Sequence, residues 1–583
     1  YNLQGVISGP VGESDTLKYR AAVTHKNTDG FLDNTYLGQT ADPFEDTSVR
    51  FRLLWDPSDT FRADARFYSS ELEGGALYYN IRSPNPEPFP GAPLSLGHGA
   101  GDPDSVNDTS LDIRTNNSGS NERDLMNLSL KMDWELENGT FTSISSYDTM
   151  EEVLTGDAFD FIPIAESIGV AFGFPDQNQS QYFDVEAWSQ EFRFTSPSED
   201  RFRWIAGTYF VGTERFVSTG AMVDTGGGVF PVFNSPRGAF PFDFATDPIN
   251  PQASFLADSQ DNFAWAVFGE VAYDVSDATE VSFSLRYDDD TRENTTKTPT
   301  AFLPNVPGFP QGFTGEKREE SWDELQPKFT WRYKPQDNLS YYASLSRGFR
   351  SGGFNQTGVG AVAFSSGFLG VGDTFDAEVV DTIEVGMKGQ FNDNRTRANL
   401  SLYRSEAEGT YFFIFLAANS TQNLGNLNEV EYQGFEFDIT HRISANADFN
   451  LGIGYTDSEI TDSDTPADIG DKAPNVSETT FNIGFNLHWP INTFGSGVEG
   501  FFRADYQILG ETTFFDREQA DTNDRDDVHL LDFRAGIQLP DDWSITAWGK
   551  NALDEEYHTE YSTGGFVYKA TPARFGLDFV KRF

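Results

Sequence analysis

Apolar and polar residues alternate one for one along much of the second half of the chain. Phe449, Leu451, Ile453 and Tyr455 fall on one side, and Asn450, Gly452, Gly454 and Thr456 on the other, because successive side chains of a strand point to opposite faces. After a polar excursion from Asp457 to Asp471 the alternation returns, with Phe481, Ile483, Phe485, Leu487 and Trp489 set against Asn482, Gly484, Asn486 and His488. One such strand would suit a soluble sandwich. Its repetition to the last residue predicts an all-β fold, an antiparallel β-barrel whose apolar face meets lipid and whose lumen is polar.

About 21 segments of this kind can be placed along the chain, at the upper end of the usual barrel range. Short and long linkers separate them in turn. The short ones, at 12–15, 56–59, 137–140, 198–200, 276–278, 335–338, 392–394, 444–446, 490–497 and 540–542, are mostly Pro, Asp, Asn, Gly and Ser, the residues tight turns use. Long ones include 75–121, 156–182, 220–258 and 351–375. Short periplasmic turns and long outer loops are the rule for outer-membrane barrels. The first segment is followed by a short turn and so descends toward the periplasm, as does the last. Two descending ends make the strand number odd, whereas single-chain bacterial barrels are even. The expectation is a missing ascending first strand.

Composition narrows the class. The 583 residues are 38% hydrophobic and 15% aromatic, yet mean hydropathy is -0.47, so apolar residues are present without apolar runs. No stretch reaches the roughly 18 to 20 continuous apolar residues of a membrane helix. There is no Cys, which removes disulfides, thiolate metal sites and Cys nucleophiles. No basic and apolar leader opens the sequence.

A net charge of -50, from 41 basic and 91 acidic residues, argues against nucleic acid as a partner. It fits carboxylate-rich surfaces in salty surroundings, or loops that attract cations. The acidic stretches Asp457 to Asp471 and Asp521 to Asp527 read either as solvated loops or as calcium loops, and neither follows the EF-hand pattern. The six His residues lack zinc spacing. No catalytic motif appears, and no enzyme is expected.

The stretch from Trp322, WDELQPKFTWRYKPQDNLSYYASLSRGFRSGGFN, closely resembles the mid-barrel signature of TonB-dependent outer-membrane receptors. EVGMKGQF at Glu384, YQGFEFD at Tyr432, KNALDEEY at Lys550 and the terminal FGLDFVKRF resemble later landmarks of that family. The resemblance implies a 22-stranded barrel in the bacterial outer membrane, closed by an N-terminal plug; residues 1–583 would be its barrel domain, with plug and first strand missing from this sequence. It further implies import of a scarce nutrient, usually a ferric siderophore. The partners implied are outer-membrane lipid, the energy-coupling TonB protein, the barrel assembly machinery and a small-molecule metal chelate. Two other readings stand beside it: a passive channel for large solutes, and a surface barrel acting as scaffold or adhesin.

Candidate contacts follow. SRGFRSGGFN ends an ascending strand and opens a long loop, where Gly348, Gly352 and Gly353 allow positive φ or close backbone approach. Arg347 and Arg350, with Asn355, suit either an anionic substrate in the vestibule or lumen salt bridges. Tyr411, Phe412, Phe413 and Phe415, past the strand from Arg397, and Phe159, Phe161, Phe172 and Phe174 read as aromatic loop residues that either bind ligand or pack the loops. In the last strand Phe575, Leu577, Phe579 and Phe583 face lipid, with Lys581 placed to snorkel. That segment resembles the signal read by the assembly machinery.

Overall fold

The computed structural model describes residues 1–75, 80–81, 106–110, 112–158, 161–167, 170, 173, 175–226, 252–416, 421–492, 497–514, 524–540, 542–562 and 566–583. Among them, 21 strands form one sheet. In chain order they are β1 (Asn2–Pro10), β2 (Leu17–Thr28), β3 (Phe44–Ser58), β4 (Phe61–Gly74), β5 (Ser120–Leu136), β6 (Gly139–Ala158) and β7 (Gln177–Thr195). Next come β8 (Phe202–Val223), β9 (Gln252–Ser276), β10 (Thr279–Thr296), β11 (Lys317–Gln336), β12 (Leu339–Arg350), β13 (Glu378–Phe391) and β14 (Thr396–Leu416). The last are β15 (Thr421–Ser444), β16 (Ala447–Asp462), β17 (Thr479–Pro490), β18 (Glu499–Leu509), β19 (Val528–Leu539), β20 (Trp543–Lys550) and β21 (Arg574–Lys581).

Each strand pairs antiparallel with the next in sequence, the up-and-down order that short hairpins permit. The strand count expected from the linkers is met. Among the described residues β1 pairs with β2 alone and β21 with β20 alone, so the sheet has two edges.

The register carries the alternation around the wall. Tyr341, Met387, Leu400, Phe437, Ile453, Phe481 and Ile508 stand side by side on seven successive strands, so one apolar row runs along the outside over a third of the wall. On the opposite face Asn450, Gly484, Asp505 and Asp532 form an equally continuous polar row. Directly paired residues share a face, and a slip of one residue would exchange the two rows. Phe575, Leu577 and Phe579 are 63%, 64% and 66% exposed, on the outward row. No helix among the described residues is long and apolar enough to cross a membrane.

The turns at one end are tight. Asn392, Asp393 and Asn394 have φ of 58°, 56° and 63°, the left-handed region that Asn and Asp tolerate better than most side chains. At the other end the strands run further than the alternation suggests. Ladders continue to Ala158↔Gln177 and Val223↔Gln177, and β14 and β15 stay paired to Leu416↔Thr421. Tyr411, Phe412 and Phe413 therefore lie on a strand rather than in a loop, as does the backbone of Phe415. The physical reason is the partner strand: its hydrogen bonds hold the chain extended where its own sequence no longer alternates cleanly.

One ladder stops early. β11 and β12 pair from Gln336↔Leu339 to Lys328↔Ser346 and then part, while the remainder of β11 stays on β10. The next residue of β11 is Pro327, which has no N–H to donate.

Packed apolar residues gather at the long-loop end. The helix α1 (Val359–Ser365) lays Val359, Val362 and Ala363 against Phe412, Ile414 and Leu416 of β14 and Leu427 and Val430 of β15. A second cluster joins Val153, Tyr182, Phe216, Phe255 and Ala257 on the strands β6 to β9, whereas outward residues lower on the wall such as Leu345, Ile383 and Leu402 remain exposed, as expected where lipid is the partner.

The facing predicts an asymmetry. Phe485→Arg, in the outward row near the middle of β17, should cost about 2–4 kcal/mol of folding free energy in a bilayer, the midplane value for a lipid-facing cation. Asn486→Arg, on the inner face, should assemble normally. Equal losses in a folding titration into lipid vesicles would contradict the assigned faces.

Candidate functional site

Loop 351–377 is fastened to the long-loop rim by the residues around SRGFRSGGFN. Close approach begins it: a Cβ on Gly352 would strike the Phe375 carbonyl and the Trp322 ring, and one on Gly353 would meet the Phe375 ring at 2.6 Å. Only glycine fits there. Gly353 and Phe354 can then pair with Phe375 and Thr374 as a short ladder.

Asn355 forms the next fastening and is 7% exposed. Its Nδ2 donates to the carbonyls of Gly372 and Leu424, both at 2.7 Å, and its Oδ1 accepts from Leu424 N at 3.0 Å. Arg318, inward on β11, donates to the Asp373 carbonyl (2.8 Å), the Asn355 carbonyl (2.9 Å) and Asn294 Oδ1 (2.7 Å), and lies over Phe354. Asp373 in turn accepts from Gly358 N and Gly360 N at 2.8 and 2.7 Å, holding the start of α1.

Arg350 and Tyr411 complete this cluster. The guanidinium sits 3.9 Å above the Tyr411 ring and pairs with Glu378 at 2.5 Å. The Tyr411 hydroxyl donates to the Ser351 carbonyl at 2.6 Å. Arg350 thus forms a salt bridge at the rim.

Arg347 behaves differently from the vestibule contact expected of it. Alternation sets it on the outward face with Leu345, and its paired neighbour is Asp381. Its guanidinium donates to Asp381 at 2.9 and 2.6 Å and reaches Glu324 at 3.3 Å. It thereby spans the opening where β11 and β12 part, beside a concavity of about 370 Å³ floored by Phe283, Phe329, Leu345 and Ile383.

The aromatic residues divide as well. Phe412 is 2% exposed inside the α1 cluster, where it packs the loop. Phe413 is exposed. The Phe415 side chain, Phe159, Phe172 and Phe174 lie outside the described residues. Phe161 is buried edge-on against Phe566. Arg318 and Asp373 escaped sequence reading, although alternation along β11 does place Arg318 inward.

Among the described residues no group of three or more His, Asp or Glu is placed to hold a metal ion. In the first acidic stretch Asp457 accepts from Gln433 and Asp468 from Ser463. In the second, Asp524 accepts from Thr513, and residues 521–523 lie outside the described ones. His441 bonds Thr396, and the buried His558 ring bonds the Val106 carbonyl.

Loop 463–478 carries its own ionic tie. Lys472 Nζ donates to Glu478 at 2.8 Å and lies 3.7 Å from Glu511. The hydrogen bond from Lys472 holds the Glu478 carboxyl below its usual range, against some desolvation, and raises Lys472 in return.

This architecture has known counterparts. Residues 9–552 match the model of the family described as TonB dependent receptor-like, beta-barrel. The ferric-pyoverdine M114 receptor PbuA of Pseudomonas sp. (strain M114) is 24% identical over 238 residues, 40% of this chain and 26% of that protein. The probable TonB-dependent siderophore receptor PiuA of Acinetobacter baumannii is 27% identical over 129 residues, 22% of this chain and 16% of that protein. These matches thus span about a quarter or less of those relatives' own length. Among solved structures, the ferric yersiniabactin uptake receptor FyuA from Yersinia pestis superposes with a TM-score of 0.71 at 14% identity, covering 99% of this chain and 77% of that one. The copper transporter OprC gives a TM-score of 0.65 at 11% identity, covering 99% and 79%. At such identities the likeness concerns the fold.

Two predictions follow from the fastenings. Asn355→Ala leaves the Leu424 N–H and two carbonyls without their partner, so opening of loop 351–377 should become easier by about 1–3 kcal/mol. Hydrogen exchange at Leu424 reads this, and an unchanged rate would exclude the clasp. Glu478, with its pKa lowered, stabilises above the ordinary carboxylate value and loses that contribution as pH falls. Protection from exchange in residues 463–478, corrected for the pH dependence of the intrinsic amide rate, should therefore fall below about pH 4, only modestly because both partners are more than one-third exposed. Glu478→Gln should remove the step, and a step that survives would assign it elsewhere.

Proposed function

The chain belongs to the TonB-dependent receptor β-barrel family of the bacterial outer membrane, and from that premise we propose that it forms the transport barrel of an importer for a metal chelate of the ferric-siderophore type. The observation that supports this is the combination of a 21-strand wall with loop 351–377 fastened over the rim at one end by Asn355, Arg318 and Tyr411. A wall of this size encloses a lumen far wider than side chains fill, suited to a bulky solute, and loops packed on its rim supply an outer vestibule. The receptors for ferric pyoverdine and ferric yersiniabactin among its relatives favour the same cargo class.

In this reading a plug gates the lumen, one further strand joins β1 to β21, and energy arrives through the TonB protein. Phe575, Leu577 and Phe579 of β21, with Phe583 just beyond it, form the segment that the assembly machinery recognises. Arg350, Tyr411 and the exposed Phe413 are the vestibule groups nearest an incoming chelate, and Arg347 acts on the outer wall.

The test is iron accumulation by cells in which this protein, in its natural form, is the sole receptor for ferric chelates. Uptake of a radiolabelled ferric siderophore should stop when a protonophore collapses the inner-membrane gradient. Accumulation that ignores the gradient would favour the passive channel. No uptake of any iron chelate, cobamide or glycan would favour the scaffold.

A further inference from the structure

Between β11 and β12 the wall carries a seam. The ladder ends at Lys328↔Ser346, and above it residues 317–327 of β11 and 347–350 of β12 hold only to their other neighbours, β10 and β13. The rim closes the seam again, where Trp322 packs on Gly352 and Phe354 and Arg318 bonds the Asn355 carbonyl. What remains is a slit in the sheet, crossed by the fork of Arg347 on its way to Glu324. Backbone groups that point into it have no strand to bond. Pro327 removes one donor, and the others need a partner where the wall meets lipid and water is scarce.

The outward rows fix the depth of this slit in the membrane. Leu345 and Ile383 stand side by side, exposed and apolar. Two residues higher along the strands the outward row is Arg347, Asp381, Glu406 and Glu431, on four successive strands. Lipid-facing positions thus change from apolar to charged within one step of roughly 7 Å along the strand, the level at which acyl chains give way to head groups on the long-loop side.

The concavity of about 370 Å³ beside the slit spans that same level. Phe283, Phe329, Leu345 and Ile383 form its floor, and Arg347, Asp381, Arg404 and Glu406 stand on its rim. Its size is that of a small-ligand site. Apolar surface of this kind in contact with hydrocarbon is covered by an acyl chain, since water gains nothing there. The rim carries two cations and two carboxylates, which suits a head group bearing both signs. Arg347 is engaged by Asp381 and Glu324. Arg404 bonds Glu431 through Nη2 alone, so its Nε and Nη1 have no partner among the described residues, and neither has the Glu406 carboxylate.

We propose that this notch on the outer wall holds one zwitterionic phospholipid with a primary ammonium head, its acyl chain on the floor between Phe283 and Ile383, its phosphate on Arg404 and its ammonium on Glu406. Guanidinium and phosphate make the stronger, charge-assisted kind of hydrogen bond, and the lipid wedges the wall where the ladder stops. A second copy of this chain fits less well, because a stable interface buries about 800 Å² on each partner and the notch has the width of a single chain. The proposal rests on the place of the barrel in the outer membrane and is independent of what the barrel carries.

The experiment is native mass spectrometry of the intact protein, extracted from outer membranes, stripped of lipid in detergent and titrated with dioleoyl phosphatidylethanolamine, phosphatidylcholine or phosphatidylglycerol. One phosphatidylethanolamine should bind about tenfold more tightly than either of the others, one charge-assisted hydrogen bond being worth that much. Arg404→Gln/Glu406→Gln should bring it down to the level of phosphatidylcholine. Ile383→Trp, which fills the floor, should abolish the discrete adduct, whereas Leu128→Trp, an equally lipid-facing enlargement on β5 away from the notch, should leave it intact. Heat-modifiable migration on gels shows which variants are folded, and the exposed pair Arg404 and Glu406 decides the matter should Ile383→Trp fail to assemble.

Equal retention of all three lipids, unchanged in every folded variant, would mean an ordinary lipid shell and overturn the site. Preference for phosphatidylglycerol would overturn the zwitterionic assignment. A dimer in the spectrum that Ile383→Trp disperses would make this face an interface between copies and exclude the lipid.

Discussion

In hydrocarbon a backbone N–H or C=O has no water to bond, so every such group must find its partner within the protein. A wall of antiparallel strands meets that demand around almost all of this chain, from β1 to β21. The demand is on the backbone, and side chains are free to differ only by face. Outward positions become apolar and inward positions polar with a period of two, which is why the row from Tyr341 to Ile508 runs unbroken over seven strands and the row from Asn450 to Asp532 over four.

Beyond the wall the physics changes. The long-loop ends of β14 and β15 rise into water, where an unsupported hairpin would be marginal. They are held by a conventional buried core, α1 on one side and Phe412, Ile414 and Leu416 on the other. Asn355, Arg318 and Tyr411 add directional bonds to that packing. Several of the residues that read as ligand contacts in the sequence, Asn355, Tyr411 and Phe412, therefore fasten the rim.

The charges are distributed by the same geometry. Although the chain is strongly acidic, strand pairing concentrates Arg20, Arg50, Arg52 and Arg66 on one inward patch. Arg347, close to the Pro327 break, is instead drawn across the opening between β11 and β12 by Asp381 and Glu324. Neither outcome could be read from local charge density, because each depends on which strands lie side by side and where a ladder stops.

The sequence by itself determined the class of fold, the approximate strand number, the short turns and the two faces. Each is encoded within a few residues: alternation from Phe449 and Phe481, Asn and Asp at tight turns, and the aromatic final strand. It also carried the family resemblance in SRGFRSGGFN and the terminal segment. Only the tertiary structure decided how far strands extend, that Phe412 is buried and Arg347 faces out, and that three arginines meet in one row. Register and ladder length are set by pairing between distant segments, and side-chain alternation within one segment says nothing about the height at which its neighbour stands.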